Sequence, residues 1–156
     1  MAHQKKRCQS QSLAAKRRMR LVITTKGEHH DLAEIRDAIV RDYADIFGRG
    51  FRVKITWGNA LPRGRAHIHR NVRLGGYDDE RNPIIIHRTL DRAAVPRCYV
   101  EWSVFHELLH AKFEVPLYHG RHDFHPRWFR VYESTFARQD QALKWVAYHA
   151  STLSRF

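Results

Sequence analysis

Val104-Phe105-His106-Glu107-Leu108-Leu109-His110-Ala111 is the stretch around which the chain is organised. Apolar residues recur through it at helical spacing: Val100, Val104, Leu108 and Ala111, widened by Trp102, Phe105, Leu109 and Phe113. Tyr99, Ser103, His106 and His110 form a separate stripe. A mostly apolar helix with one polar stripe belongs inside a domain, with the stripe lining a cleft. Pro96, with its fixed φ and missing N–H, suits the first turn, and Pro116 forbids much continuation. The stretch also contains the pattern His-Glu-x-x-His. Histidines four apart share a helical face, so both imidazoles can meet one metal ion. Glu107, one residue along, is placed to act as a general base on a water there.

A catalytic zinc takes three protein ligands and keeps one position open. His106 and His110 supply two, and one Zn2+ is the expected cofactor. Phe113 and Pro116 stand where the longer H-E-x-x-H-x-x-G-x-x-H pattern needs Gly and His, which excludes that arrangement. The third ligand is open among several residues. His125 stands at the opening of a following helix, before Pro126, where backbone and packing hold a side chain rigidly. His122 and His119 lie in the loop before it, and Glu133 lies on the apolar side of that helix. Glu133 either ligates or orients a ligand from behind.

Upstream of this helix, Leu21–Thr25 is a short β-rich run and Lys26-Gly27 turns the chain. Asp31 with Glu34 predicts a helix start, and Leu32, Ile35, Ile39, Tyr43, Ile46 and Phe47 continue the periodicity up to Gly48. Phe51, Val53, Ile55 and Trp57 alternate with polar residues, as in a half-buried strand. A second alternating run spans Ala66 to Leu74, Gly75-Gly76 with Tyr77–Asn82 reads as a turn, and Pro83–His87 as a short buried strand. Downstream, Trp128, Phe129, Tyr132 and Phe136 give one helix an apolar face. A last helix runs from about Gln139 to Leu153, with Leu143, Val146 and Ala147 inward. The class is α+β: a helix, a small, mostly antiparallel sheet of three or four strands, the motif helix and two more.

The chain has 156 residues, with Lys+Arg 28 against Asp+Glu 16, a net charge of +12. That length suits one domain, and the charge suits a polyanionic partner such as DNA or RNA. Lys5, Lys6, Arg7, Lys16, Arg17, Arg18 and Arg20 mark residues 1–20, which hold no acid, as a disordered basic arm able to contact phosphates. Residues 21–156 form the single folded domain. Cys8 and Cys98 are too few for a disulfide framework or a Cys-based zinc module. No run is long enough to span a bilayer and the start lacks an apolar signal segment, so the expected location is cytoplasmic, or associated with a nucleoid or nucleus.

From about Ile55 to Trp145 the sequence resembles the SprT-like (Spartan-type) zinc metalloproteases, in their short form. The resemblance rests on Trp57-Gly58, Arg73-Leu74-Gly75 with Tyr77-Asp78, and Ile84-Ile85-Ile86-His87 with Leu90-Asp91. It continues through Val95-Pro96, Val100-Glu101, His106-Glu107-Leu108-Leu109-His110, then His125, Phe129 and Arg130. It implies a zincin-like fold and hydrolysis of peptide bonds in accessible or unfolded protein. It also implies His125 as third ligand, with the aromatic Phe129 four residues on. The chain departs from the family in having Pro126 after that histidine and in lacking the Cys-rich zinc ribbon of many DNA-linked relatives. Donors for the oxyanion of such a reaction are Tyr118, His119, Arg121 and His122, which the sequence does not rank. Ile84–His87, taken as an edge strand, would hold an extended polypeptide substrate. The competing reading is a basic nucleic-acid-binding protein whose zinc site is structural or vestigial.

Overall fold

A computed structural model describes residues 22–58, 75–77, 83–113, 117–118 and 121–153. The basic arm, with Cys8 and its seven cations, and the run Ala66–Leu74 lie outside the described residues.

Helix α1 (Leu32–Asp42) starts where Asp31 accepts hydrogen bonds from the backbone N–H groups of Ala33 and Glu34, and it buries Leu32, Ile35 and Ile39. The predicted single helix up to Gly48 is interrupted at Tyr43, and a short α2 (Ala44–Phe47) follows. Tyr43 is claimed by tertiary contacts. Its ring lies 4.9 Å from Phe105, and its hydroxyl accepts from the Ala137 N–H at 2.9 Å. Gly48, at φ 83, then ends the helical region in a conformation that side chains resist.

The sheet consists of β1 (Lys54–Trp57), β2 (Gly75–Tyr77) and β3 (Pro83–Ile86), in the order β1-β3-β2. β1 runs parallel to β3, with Ile55 opposite Ile84, while β2 runs antiparallel to it, with Gly76 opposite Ile85. Three expectations change here. The described sheet is mixed rather than mostly antiparallel. Gly75-Gly76-Tyr77 is a strand rather than a turn. Ile84–Ile86 lies in the central strand, so it offers no open edge to a substrate. The physical reason is visible in Pro83-Ile84-Ile85-Ile86, an unbroken apolar run of the kind that fits a strand covered on both faces. β1 is also more buried than its alternation predicts, because residues 22–25 run beside it. Thr24 accepts from the Trp57 N–H at 2.8 Å and donates its own N–H to Thr56 Oγ1 at 2.9 Å, which hides Thr56.

Helix α3 (Arg97–Lys112) packs against α1, β2, β3 and the two later helices, α4 (Arg127–Glu133) and α5 (Gln139–Leu153). Val100, Val104, Phe105, Leu108 and Leu109 on it are fully buried. Its first turns are tied by charge: Glu101 accepts from Arg97 at 2.9 Å and from Arg138, and Arg97 also reaches Glu34 at 2.8 Å. A second tie involves Asp91, just after a 3-10 turn (Arg88–Leu90), which accepts from the N–H groups of Glu28, His29 and His30.

Between α3 and α4 lies a hairpin of β4 (Leu117–Tyr118) and β5 (Arg121–His122). On α4, Phe129 is buried, as is Phe136 just beyond it, but Trp128 and Tyr132 stay exposed and pack on Phe113. On α5, Ala142, Trp145 and Val146 face inward, whereas Leu143 and Ala147, expected inward, are exposed. No helix among the described residues is long and apolar enough to cross a membrane.

Candidate metal centre

One helical turn separates His106 from His110 on α3, and His125 reaches them from the residue before the Pro126 cap of α4. The three Nε2 atoms converge. His106 and His110 are 3.1 Å apart, and each is 3.2 Å from His125. Zinc–nitrogen bonds of about 2.0–2.1 Å in tetrahedral directions set neighbouring nitrogens roughly 3.3 Å apart. The triangle fits a single tetrahedral cation with a fourth position left over. The three histidines lie close enough to bind one metal ion.

Hydrogen-bond accounting points the same way. Glu133 Oε1 lies 2.7 Å from His106 Nδ1. A carboxylate only accepts, so Nδ1 carries a proton, and in the neutral imidazole Nε2 of His106 turns a lone pair to the centre. With that nitrogen an acceptor only, at most two of the three ring contacts can be N–H···N bonds, whereas a cation satisfies all three. His125, exposed as a residue, has its ring against His106 and Phe129. Desolvation of that ring, then the neighbouring His106, lower its pKa, which favours the neutral imidazole that metals bind.

The scaffold behind the rings is aromatic. Phe129 stacks on His110 at 4.5 Å and meets His106 and His125 edge-on at 5.3 and 5.1 Å. A buried, unbranched ring between three imidazoles fixes their directions by packing. Trp102 lies 5.9 Å from His106. Asp123 accepts from the His125 N–H at 3.2 Å, a local turn that sets the backbone before α4.

Of the residues singled out in the sequence, His106, His110 and His125 come together. Glu133 stands behind His106 rather than in the triangle, the carboxylate–histidine arrangement that orients ligands in metal sites. Glu107 is buried beside them on α3, 8 % exposed. The side chains of Tyr118, Arg121 and His122 and all of His119 lie outside the described residues, although the hairpin pairs Leu117 with His122 and Tyr118 with Arg121. The sequence reading passed over the roles of Asp123 and Trp102. Asp two residues before a ligand is a recognisable turn signal, whereas nothing local marks Trp102. Compared with protein-family models, with curated proteins and with solved structures, the chain matches none of them.

Proposed function

We propose that this chain is a zinc-dependent metallopeptidase acting on accessible or unfolded polypeptide, with a zincin-like arrangement of the SprT-like kind its sequence resembles. The observation that carries the reading is the triangle of Nε2 atoms with Glu133 locking His106 and Glu107 alongside. His106, His110 and His125 would hold the ion. When bound, zinc would supply Lewis acidity and bring the pKa of its water to about 7. Glu107 would take the proton from that water and pass it to the leaving amine. Oxyanion donors would come from the β4–β5 hairpin, where Tyr118, Arg121 and His122 lie. With β3 central, the strand left to pair with an extended substrate is β2.

Metal analysis combined with cleavage of denatured casein tests the proposal. Purified protein should carry about one zinc per chain and lose cleavage on chelation. Glu107→Gln should keep its zinc and lose cleavage by about 10²–10⁴-fold. Undiminished cleavage by a zinc-loaded Glu107→Gln protein would remove the assigned base, and a metal-free parent protein would remove the enzyme reading.

A further inference from the structure

A cleft of about 990 Å³ opens on the face made by α1, α2 and the segment leading into β1, lined by residues that take no part in the histidine cluster. Its walls carry Arg36, Arg41, Arg49, Arg52 and Lys54 against a single acid, Asp37. Residues 22–156 hold 21 Lys and Arg against 16 Asp and Glu, a surplus of five. The cleft's own surplus of four means that most of this excess is gathered in one concavity.

The cations are not equivalent. Arg36 is engaged by Asp37 at 2.8 Å and by the Val53 carbonyl at 3.2 Å, and Arg41 by Asp42 at the margin at 3.1 Å. Arg49, Arg52 and Lys54 are exposed and hold no ion pair among the described residues. Arg52, in the segment leading into β1, and Lys54, the strand's first residue, are both exposed and alternate with buried Val53 and Ile55, which puts the two cations on one side. Arg49 sits between Gly48 and Gly50, both at positive φ, where the chain bends back around the cleft. Three unneutralised cations along a bent backbone amount to a track rather than a point site.

We propose that this cleft binds the sugar-phosphate backbone of single-stranded nucleic acid, without reading its sequence. The concave shape argues against a flat lipid surface. A volume of about 990 Å³ matches one sugar-phosphate strand better than a duplex, whose major groove alone is about 12 Å wide. Arginine's planar fork matches phosphate oxygens in pairs, and four of the five cations are arginine. None of the lining residues belongs to the basic arm, and the site does not depend on the peptidase reading.

Fluorescence anisotropy with a labelled mixed-sequence 20-nucleotide DNA strand tests it on the full chain. For single strands each neutralised phosphate adds about 0.7 to the slope of log K against log salt. Replacing Arg49, Arg52 and Lys54 together by Ala should therefore make the slope shallower by about 2. Raising salt fourfold should then cost the variant roughly 20-fold less affinity than it costs the parent. Lys144→Ala, an exposed cation of α5, serves as control and should leave the slope within about 0.7 of the parent. Circular dichroism establishes that the triple variant is folded. An unchanged slope in the folded triple variant overturns the proposal. So does equal competition by the matching duplex or by polyglutamate, because the first contradicts the match of the cleft's volume to one strand and the second its preference for phosphate.

Discussion

Glu133 and Asp91 are both carboxylates that position something else, and they differ in what they accept from. Glu133 takes one ring N–H, that of His106, whose other nitrogen faces the metal centre. Asp91 takes three backbone N–H groups in a row, from Glu28, His29 and His30, at 2.7, 2.9 and 3.1 Å. The first arrangement directs a lone pair. The second fastens the turn before α1 to the segment before α3, more than 60 residues away in the chain. A carboxylate's partners therefore separate chemistry from architecture where residue type alone does not.

The largest effect expected on the chemical side comes from the triangle itself. His106→Ala with His110→Ala should abolish stoichiometric zinc binding while the far-ultraviolet dichroism is kept, because both residues are half-buried on an otherwise buried helix. Metal content by mass spectrometry checks this. Retention of one zinc per chain would place the metal elsewhere and break the comparison.

On the architectural side, Asp91→Ala should lower unfolding free energy by about 3 kcal/mol, since three donors lose a charged acceptor and water replaces it only in part. Gly27 belongs to the same clasp. A Cβ at Gly27 would collide with the Asp91 carboxylate, so Gly27→Ala should destabilise for the same reason. The two substitutions should then be strongly non-additive, the second adding under about 1 kcal/mol once the first is made. Urea unfolding of the two single variants and the double measures this, and simple additivity would show that the clasp is not a unit.

Glu133→Gln should have the opposite profile: little change in unfolding free energy but zinc affinity weaker by about 10–100-fold. Glutamine can still accept the His106 proton, so the loss reads the charge rather than the contact. If the variant instead unfolds early and binds zinc as the parent does, Glu133 belongs with Asp91.

What the sequence revealed follows the same division. Features that depend on neighbours within a turn or two were legible: the Asp31 cap, the periodicity of α3, the span of α5, and His106 with His110. His125 was legible as a rigid position at a helix opening, although its convergence with the other two rings needed the fold. Periodicity reports that a residue is buried without naming its partner. Glu101 with Arg138 and Asp91 with residues 28–30 are joined across long separations and left no local trace. Tyr43 shows the limit from the other direction, since its helical spacing is right while its contacts with Phe105 and Ala137 break the helix. Leu143 and Ala147 misled because α5 has apolar residues on more than one side, and spacing alone does not decide which of them meets α3.

The smallest expected effect is a pH dependence that sharpens the assignment of Asp91. Burial by itself would raise the pKa of this carboxyl, but the N–H groups of His29, Glu28 and His30, with Arg88 nearby, outweigh it and hold the value below the ordinary 3.8. A carboxylate with a depressed folded-state pKa adds stability that is fully present above its unfolded value and lost as pH falls through the folded one. The stability gap between the parent and Asp91→Asn should therefore be constant from pH 7 to about 5. It should then close progressively below about 3.8, where the unfolded chain takes up the proton first and the folded chain follows. Urea midpoints at pH 7 and pH 3, taken as the difference between the two proteins, cancel the other titrating groups. A gap that persists unchanged at pH 3 would mean that the three N–H groups hold Asp91 through shape and not through its charge.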